Sequence, residues 1–533
     1  MDIRPDPLRR ALARFPFFTE KGALSHASTG AALLDYFSKA GTLRGRPAAE
    51  VAADLDAMWA ESPQLALMTL FWVRLVTRKV QGPGLQTEAV QKGQGSRDEF
   101  RKGLVWLAER HRPVYDRNLW LVPLVGRWSD LWHEDVVEAL PRDRTLALLA
   151  DGLANPTQRA LIAKYLPRLR SRGQRHTPRH EALAAFAKDV RKFFGWTEQQ
   201  YRRFKSDPEH TAHQFQRDLC AGRFEALRFE AIPGRALFLL NRTGRDGLDT
   251  FARHGQEDRY VAWLDTQPTA KFTGYVHELY RAARKARTLA QKRTLDKQFD
   301  GLVATAKADR GGVAENVWCA LDTSGSMQTP VAPDSPVQAI DVCLGLGLYF
   351  SALNEGAFRD HVVMFDSASR IVALRGTFTE RVAQLRSEQV AWGSTNFQSV
   401  IDRLCALRAE RPDVPASEFP TTLLVVSDMQ FDAARADNTQ TNYEAAMRKL
   451  AAVGLPEMRI VWWWVTGRAG DFPATLDDRG VILVGGFDGA ILELLLGGRA
   501  ERSAAEPNVP GVEGPEDAML RALDQEILRR LTV

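Results

Sequence analysis

Asn316-Val-Trp-Cys-Ala-Leu-Asp322-Thr-Ser-Gly-Ser326-Met is the stretch that decides the fold. An uncharged, largely apolar run leads into a carboxylate, and a glycine then sits between two serines. Such a run, ended by a turn signal, reads as a strand over 316–321 buried on both faces, the hallmark of a parallel sheet covered by helices. The strand delivers Asp322 to the edge of the sheet, and Gly325 lets the loop turn sharply. Ser324 and Ser326 then point their hydroxyls the same way as the carboxylate. One carboxylate and two hydroxyls make a hard, all-oxygen half-shell suited to Mg2+ or Mn2+.

Downstream, the pattern alternates. An apolar helix is expected over 338–353, strands over 361–365 and 371–374, and a helix over 396–407. A strand over 421–427, a helix over 443–453 and strands over 460–465 and 481–484 complete it. Residues 311–503 therefore read as a doubly wound, mostly parallel α/β domain. Residues 504–533 read as a Pro-, Gly- and Glu-rich linker and an amphipathic helix over 518–531 that docks back. Sheets of this kind bind ligands outside the carboxyl ends of their strands. Two later loops reach that edge: Gly393-Ser-Thr-Asn396, which offers Thr395, and Ser427-Asp428, which offers Asp428. Gly345 and Gly347, inside the apolar helix, read as packing glycines, and the tryptophans 462–464 as core.

Upstream, residues 1–310 read as helix after helix. Leu65, Met68, Trp72 and Leu75 recur at helical spacing, as do Phe100, Leu104 and Leu107, and further stretches fall at 119–132, 145–153, 181–194 and 259–264. Ser96 and Glu99 have the spacing of a capping box. With no clean repeat period, the expected architecture is an irregular array of stacked helical pairs. The four cysteines, Cys220, Cys319, Cys343 and Cys405, fit no zinc or disulfide framework, and Cys319 and Cys343 read as buried thiols. No signal-peptide core and no long uncharged apolar run occurs, so a reducing cytoplasm is the expected address and no membrane is involved.

The net charge of +5 hides an asymmetry: residues 1–310 carry 52 Lys+Arg against 36 Asp+Glu, while 311–533 carry 19 against 30. A basic half of +16 joined to an acidic half of −11 points either to a polyanion partner or to two surfaces that attract each other.

The order Asp322-x-Ser324-x-Ser326, then Thr395, then Asp428 resembles the metal-ion-dependent adhesion site of von Willebrand factor A domains. That resemblance implies a six-coordinate ion held by Asp322, Ser324, Ser326 and Thr395, with Asp428 bound directly or through water. The last position would go to water or to a partner's carboxylate. A basic helical array followed by an A domain is in turn similar to Ro-type (TROVE plus von Willebrand factor A) RNA-binding proteins. Their helical repeats, HEAT-like, bind small noncoding RNAs and RNA ends. The nearer likeness is to the "domain of unknown function 2828" branch, carried by Lys92-Gly-Gln-Gly-Ser-Arg97, Leu104-Val-Trp-Leu-Ala-Glu109 and Gly126-Arg-Trp-Ser-Asp-Leu131. Lys164-Tyr-Leu-Pro167, Cys220-Ala-Gly222, Ile232-Pro-Gly-Arg-Ala236, Trp392-Gly-Ser-Thr-Asn396 and Ser427-Asp-Met-Gln-Phe-Asp432 continue it. The sequence departs from that branch after Lys79, where Val-Gln-Gly-Pro-Gly replaces a glycine-rich basic turn, and after Lys164, where an arginine-rich segment follows.

Two cation clusters are the candidate RNA contacts. One holds Lys164, Arg168, Arg170, Arg172, Arg175, His176, Arg179 and His180; the other holds Arg281, Arg284, Lys285, Arg287, Lys292 and Arg293. Clustered cations bind phosphates by releasing counterions, and nearby aromatics stack unpaired bases. The alternative for each cluster is a solvated helix face or a bridge to the acidic domain. The expected function is a noncatalytic ribonucleoprotein component whose A domain recruits a carboxylate-bearing partner through the ion. The competing reading is a protein-interaction scaffold with no RNA role. A two-metal nuclease would need more carboxylates than two and a base to activate water. Glu209, His210 and His213 read as a polar loop rather than a metal triplet.

Overall fold

Val317–Asp322 (β1) is buried at every position, as its composition requires, and it lies in the middle of a six-stranded sheet. The computed structural model describes residues 5–13, 15–82, 84–169, 177–207, 214–309, 316–389, 393–434, 439–455, 458–467, 470–496 and 513–533. The remaining strands are His361–Phe365 (β2), Ser369–Ala373 (β3), Thr422–Ser427 (β4), Arg459–Trp464 (β5) and Val481–Gly485 (β6). They are ordered β6-β5-β4-β1-β2-β3, all parallel except β3, which runs antiparallel to β2. The helices Ala339–Leu353 (α1), Phe378–Ser387 (α2), Gln398–Glu410 (α3) and Asn442–Ala452 (α4) alternate with the strands.

α1 is buried along its whole length because two glycines let it approach its neighbours. A Cβ on Gly347 would stand 2.3 Å from Leu321 Cδ1, and one on Gly345 would stand 3.0 Å from the backbone of His277. Trp462, Trp463, Trp464, Cys319 and Cys343 are buried as expected.

The chain forms two compact units, and their limits do not fall at the change of hydrophobic pattern near residue 310. One unit contains residues 1–43 and 228–522, so the sheet shares it with both the N-terminus and the helices after 228. There the long helix Leu289–Asp309 packs on Val276–Ala283 and on α1 and α2. The other unit contains residues 44–227 and 523–533 and is built almost wholly of helices. Ala48–Glu61, Pro63–Arg74 and Asp98–Arg110 pack together, as do Arg142–Ala154 and Pro156–Tyr165. Its C-terminal tail is tied to its body: Asn118 bonds to both the carbonyl and the amide of Thr532, and Gln525 does the same to Lys92. The described part of the N-terminal region contains only two-residue strands, so helix dominates it as expected.

Three local expectations need correction. The capping box at Ser96 does not form: the helix starts at Asp98, and Glu99 is instead buried, bound to Arg46 at 2.8 Å. The stretch 119–132 is three short turns rather than a helix, because Pro123 and Gly126 interrupt it. The last helix spans Pro515–Leu523 and is followed by a single turn, Leu528–Arg530. Most of the linker, residues 504–512, lies outside the described residues, as does the triplet Glu209, His210 and His213.

Candidate metal centre

The sheet order places a topological switch beside β1. The chain leaves β1 toward β2 and β3, then returns to pair β4 on the other side. At such a point the connections diverge and leave a crevice beyond the strand ends. Asp322 ends β1 and Ser427 ends β4, next to each other in register, since Leu321 pairs with Val426. The Ser427 hydroxyl donates to Asp322 Oδ2 at 2.5 Å, and the Ser324 amide donates to Oδ1 at 2.9 Å. These two bonds, one to each oxygen, fix the orientation of the carboxylate.

Ser324 Oγ and Ser326 Oγ stand 3.2 Å apart. Neighbouring corners of an octahedron with bonds near 2.1 Å are about 3.0 Å apart, so the two hydroxyls suit adjacent positions around Mg2+. Thr395 arrives on a loop fixed by Asp432: the Ser394 hydroxyl donates to both oxygens of that carboxylate, and the Thr395 amide donates to one at 3.1 Å. Gly393 is required beside it, because a Cβ there would stand 2.3 Å from Asp366 Cβ. Asp428 lies one residue beyond β4. Its Oδ1 accepts from the Gln430 amide at 3.2 Å, while Oδ2 is buried with no hydrogen-bond partner. Met429 turns the loop at φ +65°, in the left-handed region.

Asp322, Ser324, Thr395 and Asp428 are each no more than 1% exposed, and Ser326 is half-buried. Burial and then the nearby Asp428 carboxylate push Asp322 up to about 7. Two carboxylates this close and this dry are costly without a counter-charge.

Lys21 supplies a cation. The N-terminal strands Phe17–Phe18 and Leu24–Ser25 pair as a hairpin whose tip, Glu20-Lys-Gly22, reaches the crevice. The Thr19 hydroxyl donates to the Phe431 carbonyl at 2.7 Å, the Glu20 amide to Gln430 Oε1 at 2.9 Å, and Gly22 bridges to Asp432. The Lys21 ammonium donates to Thr395 Oγ1. An orphaned buried carboxylate oxygen, two hydroxyls at octahedral spacing and an ammonium on the threonine hydroxyl all fit a site that takes a hard cation. Lys21 escaped the sequence reading because it lies some three hundred residues before Asp322 in a segment without a motif. Among the described residues no group of three or more His, Cys, Asp or Glu side chains is placed to hold a metal ion.

The cation clusters fare differently. Lys164 and Arg168 are exposed, as are Arg179 and His180, whereas Arg170, Arg172, Arg175 and His176 lie outside the described residues. Arg281 and Arg284 both reach Asp341, a buried residue of α1, at 3.2 and 2.5 Å, and Arg281 also donates to the Pro336 carbonyl. Arg293 pairs with Asp265 at 2.5 Å. Lys285, Arg287 and Lys292 are exposed.

Among known proteins, a family model described as a domain of unknown function (DUF7788) matches residues 317–525, a span that holds all five candidate metal ligands. The chain is also similar to the uncharacterized protein L728 of Acanthamoeba polyphaga mimivirus, with 22% identity over 521 residues, covering 90% of this chain and 84% of that protein.

Proposed function

We propose that the sheet is a von Willebrand factor A-type module whose crevice binds Mg2+ or Mn2+ to recruit a partner's carboxylate, and that the chain is a noncatalytic RNA-binding protein of the Ro type. The observation that carries the metal reading is the convergence of Asp322, Ser324, Ser326, Thr395 and Asp428 on one crevice at the switch point. The ion would supply a Lewis-acidic anchor for an external carboxylate. The protein's own residues hold it: Ser427 and the Ser324 amide orient Asp322, Asp432 fixes the Thr395 loop, and burial excludes competing water.

RNA binding rests on charge. Residues 44–227 carry 30 Lys+Arg against 22 Asp+Glu, so half of the basic surplus before residue 310 belongs to the largely helical unit. The HEAT-like reading of that unit is consistent with its paired helices. Arg281 and Arg284 are engaged by Asp341, which favours the first cluster over the second as the RNA contact.

Calorimetric titration of Mn2+ into the full chain tests the metal half. Wild type should take up one ion and Asp322→Ala none, because the variant removes the charge that offsets the ion's desolvation. Equal affinity in both would refute the assignment. Titration of single-stranded RNA tests the other half: no affinity at about 50 mM salt would leave the scaffold reading in its place.

A further inference from the structure

A second constellation lies in the unit of residues 44–227, far from any motif. Asp130 is fully buried and receives two guanidinium groups. Arg74 approaches its Oδ2 at 2.7 and 2.8 Å, and Arg101 its Oδ1 at 2.9 and 3.0 Å. The Arg127 amide donates to the same carboxylate at 3.0 Å. Gly126 is there because a Cβ would stand 2.5 Å from Asp130 Oδ2 and 2.7 Å from Arg74 Nε. Three more arginines adjoin this core. Arg78 donates to the carbonyls of Leu124 and Gly126, Arg97 lies one helical turn before Arg101, and Arg127 follows Gly126 directly. All three are exposed, and no carboxylate among the described residues stands within ion-pair distance of them.

The charge does not balance. Five neighbouring guanidiniums have one carboxylate among them, paired with the two that are buried, Arg74 with its side chain 1% exposed and Arg101 with 11%. A buried cation without a counter-charge is unfavourable, and Arg74 Nη1 is buried without any hydrogen-bond partner. Although Arg97 and Arg78 are exposed overall, partial desolvation of the Arg97 guanidinium, and then repulsion from Arg127, Arg74 and Arg101, holds it below the ordinary guanidinium range; for Arg78 the causes are partial desolvation and then Arg74 and Arg127. Proteins keep such unbalanced arginine groups where an anion completes them, since the guanidinium fork matches phosphate oxygens. Beside the group, the Tyr165 ring has Arg127 at 5.8 Å and Lys164 at 5.6 Å from its centre, an aromatic next to a held phosphate on which a base could stack.

We propose that Arg74, Arg78, Arg97, Arg101 and Arg127 form a phosphate-binding site, with Asp130 as its internal brace, and that the phosphate it takes belongs to single-stranded RNA. The choice of source rests on the RNA-binding reading above; the site itself does not. Arg74 and Arg101 build the floor, Arg97 and Arg127 close on the ligand, and Arg78 holds the 124–126 backbone beneath it.

The test uses the full chain with the exposed pair Arg97→Gln and Arg127→Gln together, because Arg74→Gln or Arg101→Gln would expose Asp130 unpaired and threaten the fold. Inorganic phosphate binding is read by 31P line broadening and short single-stranded RNA binding by fluorescence anisotropy across a salt series. The double variant should lose phosphate binding by about tenfold or more. It should also weaken RNA binding and lower the log–log salt slope by roughly 0.7 to 1.4, one or two phosphates' worth. The variant Arg97→Lys with Arg127→Lys should restore the slope, since it restores the charge. Phosphate binding that wild type shows and the Gln variant loses, with no RNA affinity in either, keeps the site and overturns RNA as its source. Phosphate binding that is absent from wild type, or equal in wild type and the Gln variant, overturns the site whatever RNA does.

Discussion

Lys21 places a positive charge on the hydroxyl of Thr395, in the crevice where two carboxylates face each other. A divalent ion entering there meets that charge, and at a distance of a few ångströms the repulsion is worth one or more kcal/mol even in a polarisable site. Lys21→Met should therefore raise Mn2+ affinity by about tenfold or more in a calorimetric titration; an unchanged affinity would mean that the ammonium does not share the ion's space. Asp322 gives the site a pH dependence. Its folded value, raised to about 7 by burial and by Asp428, lies above its ordinary value of 3.8. Below about pH 7 the carboxyl holds a proton that the ion must displace, so apparent Mn2+ affinity should fall by roughly tenfold per pH unit as pH drops from 7 toward 5. The same shift works against the metal-free fold. The unfolded chain ionises Asp322 above about pH 4, so stability is full below that and declines as pH rises toward 7. Urea midpoints measured without metal at pH 5 and pH 7 check the sign, and a higher midpoint at pH 7 in wild type but not in Asp322→Asn would contradict it. The five candidate ligands could be named from the sequence because their order and their neighbouring strands were legible in it. The residues that hold them were not: Ser427, Asp432 and Lys21 act through side chains that only the fold brings together.

α1 shows what an element contributes. Its glycines set its distance from β1, which ends in Asp322, so the helix fixes the height of the site's floor. Gly347→Ala would force a methyl group into Leu321, which is wholly buried and has little room to yield. The expected cost is about 1 to 3 kcal/mol, read from the urea midpoint, and a shift of only a few tenths would show that Leu321 repacks freely. Elements with an unbroken apolar pattern were legible to within a residue or two: β1, β2, β4, β5, β6 and α1. α2 was missed because only Phe378, Val382 and Leu385 are buried in it, and its start is set locally by Thr377 and Glu380. The Ser96 capping box failed for a tertiary reason: Arg46 draws Glu99 into the interior. The 81–86 and 17–25 hairpins were invisible because two paired residues leave no periodic trace.

Across the whole molecule, charge sets the expectations. The largely helical unit carries half of the surplus cations, including the five arginines around Asp130, which three separate stretches of chain contribute and no linear pattern reveals. RNA affinity of the full chain should fall steeply with salt, each neutralised phosphate contributing roughly −0.7 to the log–log slope for single strands. Arg168→Gln should flatten that slope while leaving Mn2+ binding intact, whereas Asp322→Ala should abolish Mn2+ binding and leave the slope unchanged. An equal loss of both functions in either variant would mean that the two sites are not separate. The central claim, a hard cation held at the carboxyl ends of β1 and β4, is tested most directly by a crystal structure grown with Mn2+ and measured at the manganese absorption edge. The account predicts one anomalous peak at about 2.1 to 2.3 Å from oxygens of Asp322, Ser324, Ser326 and Thr395, with Asp428 bound directly or through water and Lys21 displaced from Thr395. An empty crevice with Lys21 still bonded to Thr395, in crystals saturated with Mn2+, would contradict it.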